Sequence, residues 1–296
     1  MKFLIYGGDG WIGGQIITLL KDMNHEVFIG EARLEEREKI ICEIETFKPD
    51  RIINCAGKTG RPNVDWCEQN KEETIRSNVI GTLNLIDCAF LKGIHVTNFA
   101  TGCIFEYDKK HPINSGIGFT EEDQPNFEGS FYSYTKGMVE KILINYSNVL
   151  NLRLRMPISD DLNPRSFITK IINYERVVNI PNSMSILTDL LPISIDMSIK
   201  KISGIMNFVN PGVISHNEIL DLYKKYIDPF FTYTNFTLKE QSKILKAGRS
   251  NNELDTTKIS KLYPELPHIK DSIIKVFERM KTNLKIKDMN EYINEI

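Results

Sequence analysis

Apolar and polar positions along this chain follow two periods. Short apolar runs bounded by glycine or polar residues recur at Lys2–Tyr6 and at residues 25–29, 51–57, 95–100 and 149–156. Such runs read as buried strands. Between them lie stretches with helical apolar spacing: residues 14–23 (Ile16, Ile17, Leu19, Leu20), 36–47, 71–91 and the segment that holds Tyr132 and Lys136. Strand and helix in alternation predict an α/β fold on a doubly wound, Rossmann-type parallel sheet. After Pro157 the alternation fades. A loop at 160–165, a short helix at 166–174, extended chain at 180–186, a helix at 190–202, extended chain at 206–210, a helix at 216–226, a polar turn at 249–255 and a final helical region are expected there. These predict a first domain over residues 1–157 and a smaller lobe over 158–296, parts of which return to the first sheet.

The turn after the first strand reads Gly7-Gly-Asp-Gly10-Trp11-Ile12-Gly13. A strand, glycines spaced three apart and a helix form a phosphate cradle. Gly7 makes the tight turn, Gly10 lets the backbone approach a pyrophosphate, and Gly13 lets helix and strand pack closely. The first domain is therefore expected to bind a dinucleotide. After the second strand comes Gly30-Glu31-Ala-Arg33-Leu-Glu-Glu-Arg37. Glu31 could hold a ribose 2′-hydroxyl, as in NAD enzymes, whereas Arg33 and Arg37 could grip a 2′-phosphate through their forked donors. The reading favours NADPH, with NADH as the alternative; otherwise both arginines are solvated helix charges. Asn54, Ala56 and Gly57 end the third strand, where small side chains would let the backbone pass the cofactor. The polar loop that follows carries Asn63 at the carboxyl end of that strand, the place where open α/β sheets bind ligands.

Composition narrows the partners. The net charge of −2 offers no electrostatic case for nucleic acid or an anionic membrane. The five cysteines (42, 55, 67, 88 and 103) form no Cys-x-x-Cys pair and no ligand-spaced cluster with histidine. They read as reduced thiols in a cytoplasmic protein without a metal. The apolar start is too short for a signal peptide or a membrane helix.

The chemistry gathers between Asn98 and Lys136. Thr101 and Cys103 follow the fourth strand, and Tyr132-Ser-Tyr-Thr-Lys136 lies on the next helix. Four residues apart, Tyr132 and Lys136 share a helix face. An ammonium so placed is expected to lower the phenol's pKa toward the range of an acid/base catalyst.

With these motifs in place, the chain resembles the extended short-chain dehydrogenase/reductases that act on nucleotide-diphosphate sugars. Among them it is similar to dTDP-4-dehydrorhamnose reductases and, more closely, to the bifunctional UDP-4-keto-6-deoxyglucose 3,5-epimerase/4-reductases that form the last part of plant rhamnose synthases. Five runs carry the closer likeness: Gly60-Arg-Pro-Asn-Val-Asp-Trp-Cys-Glu68, Ala100-Thr-Gly-Cys-Ile-Phe-Glu-Tyr-Asp108, Arg155-Met-Pro-Ile-Ser159, Ile180-Pro-Asn-Ser-Met184 and Arg249-Ser-Asn-Asn-Glu-Leu-Asp255. The resemblance implies a UDP-sugar substrate, supplied as its 4-ketone by an upstream UDP-glucose 4,6-dehydratase, and a UDP-β-L-rhamnose product. It implies Thr101, Tyr132 and Lys136 as the reductase set, with Tyr132 and Lys136 also at the cofactor, and Cys103 as an epimerase residue. It further implies cofactor contacts from Gly7, Gly10, Trp11, Ile12, Gly13, Arg33, Asn54, Ala56 and Gly57, and substrate contacts from Asn63, Glu106, Asn182, Ser183 and Arg249. Related GDP-fucose synthases pair the cysteine with a downstream histidine; here Lys170 is the nearest proton donor on the corresponding short helix. Sugar 4,6-dehydratases carry Asp-Glu after the threonine. This chain has Gly102-Cys103, so no water elimination is expected. A homodimer is the expected assembly. A GDP-fucose synthase, a plain dTDP-sugar reductase, or a catalytically silent subunit on the same fold are the competing readings.

Overall fold

Phe3, Leu4, Ile5 and Tyr6 are all buried, as befits a parallel strand covered on both faces. The structure, a computed structural model, describes residues 1–61 and 63–294. The first five strands are β1 (Lys2–Tyr6), β2 (Glu26–Gly30), β3 (Arg51–Asn54), β4 (His95–Phe99) and β5 (Val149–Leu154). Beyond them come β6 (Arg176–Val177), β7 (Pro181–Asn182), β8 (Gly204–Phe208), β9 (Ile214–Ser215) and β10 (Thr234–Asn235). Six make one all-parallel sheet in the order β2-β1-β3-β4-β5-β8. The order reverses between β1 and β3, so a crevice opens at their carboxyl ends. Tyr6 and Asn54 are paired there, and Asn54 pairs in turn with Asn98.

Side chains of a strand alternate between faces, and the two cores follow that rule. Phe3 and Ile5 pack with Ile16 and Leu20 of the helix Trp11–Asp22 and with Leu187, Leu190 and Leu191 of the helix Leu187–Ile199. Leu4 and Tyr6 pack on the other side with Ile40 and Ile44 of Arg37–Phe47, Leu85 of Thr82–Leu91, and Val139 and Leu143 of Phe131–Leu143.

A third core forms wholly from later residues: Ile158, Ile168, Ile171, Met184, Ile214, Ile219, Ile269, Ile273 and Phe277 among them. It is closed by the helices Phe167–Ile171, His216–Tyr226 and Ile269–Asn294 and by the short pairs β6/β10 and β7/β9. The chain returns from it to the first sheet twice, through residues 187–208 and again through Ile259, Tyr263 and Leu266. No helix is long and apolar enough to cross a membrane, among the described residues.

Boundaries moved where apolar spacing is a poor guide. The first helix starts at Trp11 rather than 14, because glycines open it. The later helix runs Leu187–Ile199 rather than 190–202 and carries Pro192 inside. Residues 71–91 form three consecutive segments, Lys71–Ile75, Arg76–Gly81 and Thr82–Leu91, the middle one a π turn. The short helix Asp65–Gln69 was not expected, since five residues are too few to show a period.

Candidate active site

The glycine loop is built as its spacing implies. Gly7 has φ +75°, and a Cβ there would lie 2.6 Å from the Ala56 nitrogen across the switch point. A Cβ on Gly13 would lie 2.2 Å from the Gly7 carbonyl, and one on Gly10 3.0 Å from it. Gly10 caps the helix Trp11–Asp22 without a side-chain acceptor, so the first-turn N–H groups are left for another acceptor. Glycines that only a side chain would block, beneath an uncapped helix N-terminus, fit a pyrophosphate. Ile12 is half-buried against the core. Trp11 turns its indole N–H toward Asp161, 2.6 Å away, and so ties this loop to the later lobe.

At the end of β2 the two arginines separate. Arg37 forms an ion pair with Asp87 and is not free to hold a phosphate. Arg33 is exposed, and its guanidinium makes no ion pair among the described residues. The Glu31 and Ala32 N–H groups donate to Glu43, at 2.8 and 2.9 Å.

The Asn54 side chain is taken up inside the strand end. It is 1% exposed: its oxygen accepts from the Ala56 N–H at 3.0 Å and its nitrogen donates to Asn98 at 2.8 Å. Its side chain shapes the loop. The chain of amides continues from Asn98 to Asn151 (2.7 Å) and from Asn151 to Glu140 (3.1 Å), across three strands in register. Ala56 and Gly57 lie next in line; a Cβ on Gly57 would meet Asn78 Oδ1 at 3.4 Å and Lys136 Nζ at 3.6 Å. Asn78, in the π turn, is fully buried and clasps Lys58 by both its N–H and its carbonyl, each at 2.8 Å. π turns of this kind concentrate at functional sites.

The threonine, cysteine and tyrosine lie together, and the lysine follows the tyrosine by one helix turn. The helix Phe131–Leu143 starts where Ser130 accepts the Ser133 N–H at 3.1 Å. That fixes Tyr132 in its first turn and Lys136 one turn on. Thr101 is buried, and its hydroxyl oxygen accepts the Cys103 N–H at 3.0 Å. The expected lowering of the Tyr132 pKa is not found. Burial pushes it well above the ordinary phenol range and the nearby Cys103 adds to that, against a smaller opposing effect of Thr101. Burial also pushes the Lys136 ammonium down to about 8, opposed by Cys67. The enclosed site disfavours both charges, so Tyr132 stands as a neutral proton donor.

The other candidates divide. Asn182 and Ser183 are wholly buried, and their polar atoms are taken up inside the protein: Asn182 accepts from Arg155 and from the Asn252 N–H (3.0 Å), Ser183 from Arg155 (3.2 Å, by its carbonyl) and from the Leu254 N–H (2.9 Å). They are corrected from ligand contacts to supports of Arg155. Arg249 is bound to Asp65 at 2.9 Å, which together with the Ala247 N–H holds that carboxyl low against the pull of burial. Asn63 accepts the Asp65 N–H at 2.8 Å and so shapes the same loop. Glu106 is exposed, its backbone paired with Asn126. Lys170 sits on the helix Phe167–Ile171, half-buried, its ammonium lowered by burial and by Arg165. No hydrogen bond or ion pair joins it to Cys103 among the described residues.

The model of the NAD dependent epimerase/dehydratase family matches residues 3–174, more than half of the chain. The chain belongs to this family. Within the NAD dependent epimerases/dehydratases it is 60% identical to a bifunctional dTDP-4-dehydrorhamnose 3,5-epimerase/dTDP-4-dehydrorhamnose reductase of Arabidopsis thaliana, over 96% of this chain and 95% of that protein. A trifunctional UDP-glucose 4,6-dehydratase/UDP-4-keto-6-deoxy-D-glucose 3,5-epimerase/UDP-4-keto-L-rhamnose-reductase of the same plant is 58% identical over 93% of this chain, which spans 41% of that longer protein. The crystal structure of a UDP-rhamnose synthase from Acanthamoeba polyphaga mimivirus superposes with a TM-score of 0.91 at 42% identity, covering 95% of this chain and 99% of the other.

Sequence reading missed Asn78, the Asn54-Asn98-Asn151 ladder and the pairing of Glu140 with Arg153. One signal was available for the last two. A polar residue in an otherwise apolar buried strand must find a partner inside, and three adjacent strands each carry an asparagine in register.

Proposed function

We propose that this chain epimerises UDP-4-keto-6-deoxyglucose at C3 and C5 and reduces C4 with NADPH, giving UDP-β-L-rhamnose. One observation carries the reading: a thiol stands two residues from Thr101, its backbone fixed on the threonine hydroxyl, beside the buried Tyr132 phenol. The names of the plant and mimiviral relatives support the substrate class.

A ketone at C4 acidifies the hydrogens on C3 and C5. Cys103 as thiolate takes one of them, and the electron pair moves onto the C4 oxygen. Thr101 and Tyr132 donate hydrogen bonds to that oxygen as its charge grows, where such donors count most. Lys170 returns a proton to the opposite face and so inverts the centre. NADPH, when bound in the Gly7–Gly13 cradle, supplies the hydride that reduces C4. Tyr132 then gives its proton to the new alkoxide, and Lys136 holds Tyr132 and the ribose in place. Arg33 is assigned to the 2′-phosphate. The lobe centred on the third core, residues 158–296, is assigned to the sugar nucleotide. The ketone comes from a separate 4,6-dehydratase activity, which the longer plant relative names within one polypeptide.

The test is incubation with NADPH and UDP-4-keto-6-deoxyglucose in D₂O, with the sugar identified by NMR. Wild type is expected to place deuterium at C3 and C5 of a rhamnose product. Cys103→Ala is expected to place none, yet to reduce a ketone already inverted at both centres. Deuterium incorporation at the wild-type rate in Cys103→Ala would remove the thiol from the mechanism.

A further inference from the structure

Arg155 follows β5 and has no exposed surface. Its Nε donates to the Ser183 carbonyl at 3.2 Å, and Nη1 to the Ser250 hydroxyl at 2.8 Å and the Gly102 carbonyl at 3.5 Å. Nη2 donates to the Ser250 carbonyl at 2.9 Å and to the Asn182 amide oxygen. All of these acceptors are neutral. Arg153, two residues earlier and as deeply buried, has Glu140 at 2.7 Å; Arg155 has no carboxylate within ion-pair distance among the described residues. A buried charge is costly unless an opposite charge meets it.

One further atom lies in its reach. The Cys103 sulfur is 3.9 Å from Nη1. The other titratable groups around the guanidinium do not supply an anion. Tyr107 gives its hydroxyl to the Pro181 carbonyl at 2.9 Å, and burial, with Glu253, holds it protonated. His216 is pushed down to about 4 by burial and by Arg155 itself, so it is neutral at pH 7. Burial and Cys103 keep Tyr132 protonated.

We infer that Arg155 is a positioning residue whose missing counter-ion is the Cys103 thiolate: the guanidinium keeps the sulfur ionised and aimed, and the Asn182, Ser183 and Ser250 cage keeps the guanidinium on it without neutralising it. A neighbouring arginine is an established way to favour a thiolate. The inference rests on Cys103 acting as the base in the proposed function, where the thiolate accepts a carbon-bound proton, becomes S–H, and leaves the electron pair on the enolate oxygen.

The test reads the sulfur directly. Thiolate absorbs near 240 nm, and a free thiol at its ordinary pKa is ionised only to a few per cent at pH 7. Wild type at pH 7 is expected to exceed Cys103→Ser by about one full thiolate of absorbance, more than tenfold what an ordinary thiol would give. No difference between the two proteins overturns the inference, and neither needs a change at Arg155. Asn182→Asp, nearly isosteric, then supplies the absent carboxylate to Nη2. It is expected to erase the excess absorbance and to slow deuterium exchange at least tenfold, while a pre-inverted ketone is still reduced. Retention of the absorbance in folded Asn182→Asp and in Arg155→Met also overturns it. If the absorbance is present but Cys103→Ala still exchanges deuterium, the ion pair stands and the epimerase role of the thiol fails, so the two readings part.

Discussion

At the scale of single residues the site is governed by enclosure. The Tyr132 phenol keeps its proton because burial raises its pKa, so its ionisation leaves no mark on activity below the alkaline range. Tyr132→Phe should lower reduction of the pre-inverted ketone by about 10²-fold or more, the usual scale of a general acid, with NADPH binding retained in a fluorescence titration. Lys136 behaves oppositely. Its ammonium is brought down to about 8, so the charged form proposed to support Tyr132 is full below that pH and is lost above it. The pH profile of reduction should therefore fall above about 8, and in Lys136→Arg that limb should move to higher pH, since a guanidinium stays charged. A profile flat to pH 10 in wild type would contradict the assignment. For the cofactor, Arg33 makes no ion pair among the described residues, where Arg37 does. Arg33→Ala should cut kcat/KM for NADPH by roughly tenfold, the order of one charge-assisted contact, and leave NADH unchanged in parallel assays.

At the scale of elements, the helix Phe131–Leu143 carries Tyr132, Lys136 and Glu140 at successive turns of one face. Glu140 accepts from Arg153 at 2.7 Å and from Asn151 at 3.1 Å, which docks this helix on β5. Arg153→Met leaves a buried carboxylate without its partner and should cost roughly 3–5 kcal/mol in urea unfolding; Arg153→Met with Glu140→Leu should recover much of that. Apolar spacing made the strands and most helices legible, and glycine spacing made the cradle legible, because local chemistry dictates both. The Asn54 ladder, the clasp of Asn78 on Lys58 and the cage around Arg155 join residues tens of positions apart. Nothing in a local window reports such partners. The same reason explains why Asn182 and Ser183 looked like ligand contacts: a polar pair in a motif carries no sign of which side it faces.

At the scale of the whole molecule, the sheet is completed only by chain from beyond residue 157. β8 covers β5, and Leu187, Leu190 and Leu191 cover Phe3 and Ile5. Residues 1–157 expressed alone should expose that apolar face and fail to give a folded monomer by gel filtration and circular dichroism, whereas the full chain should melt in one transition. The link between the glycine loop and the later lobe has a use of its own. The chain has two tryptophans, and one of them, Trp11, makes that link through its indole N–H to Asp161. Indole emission depends on what the N–H touches. In a Trp66→Phe background the protein therefore carries a single tryptophan at the seam, and its emission colour, excited at the red edge clear of tyrosine, would report in a stopped-flow trace when cofactor reaches that contact, without any attached label.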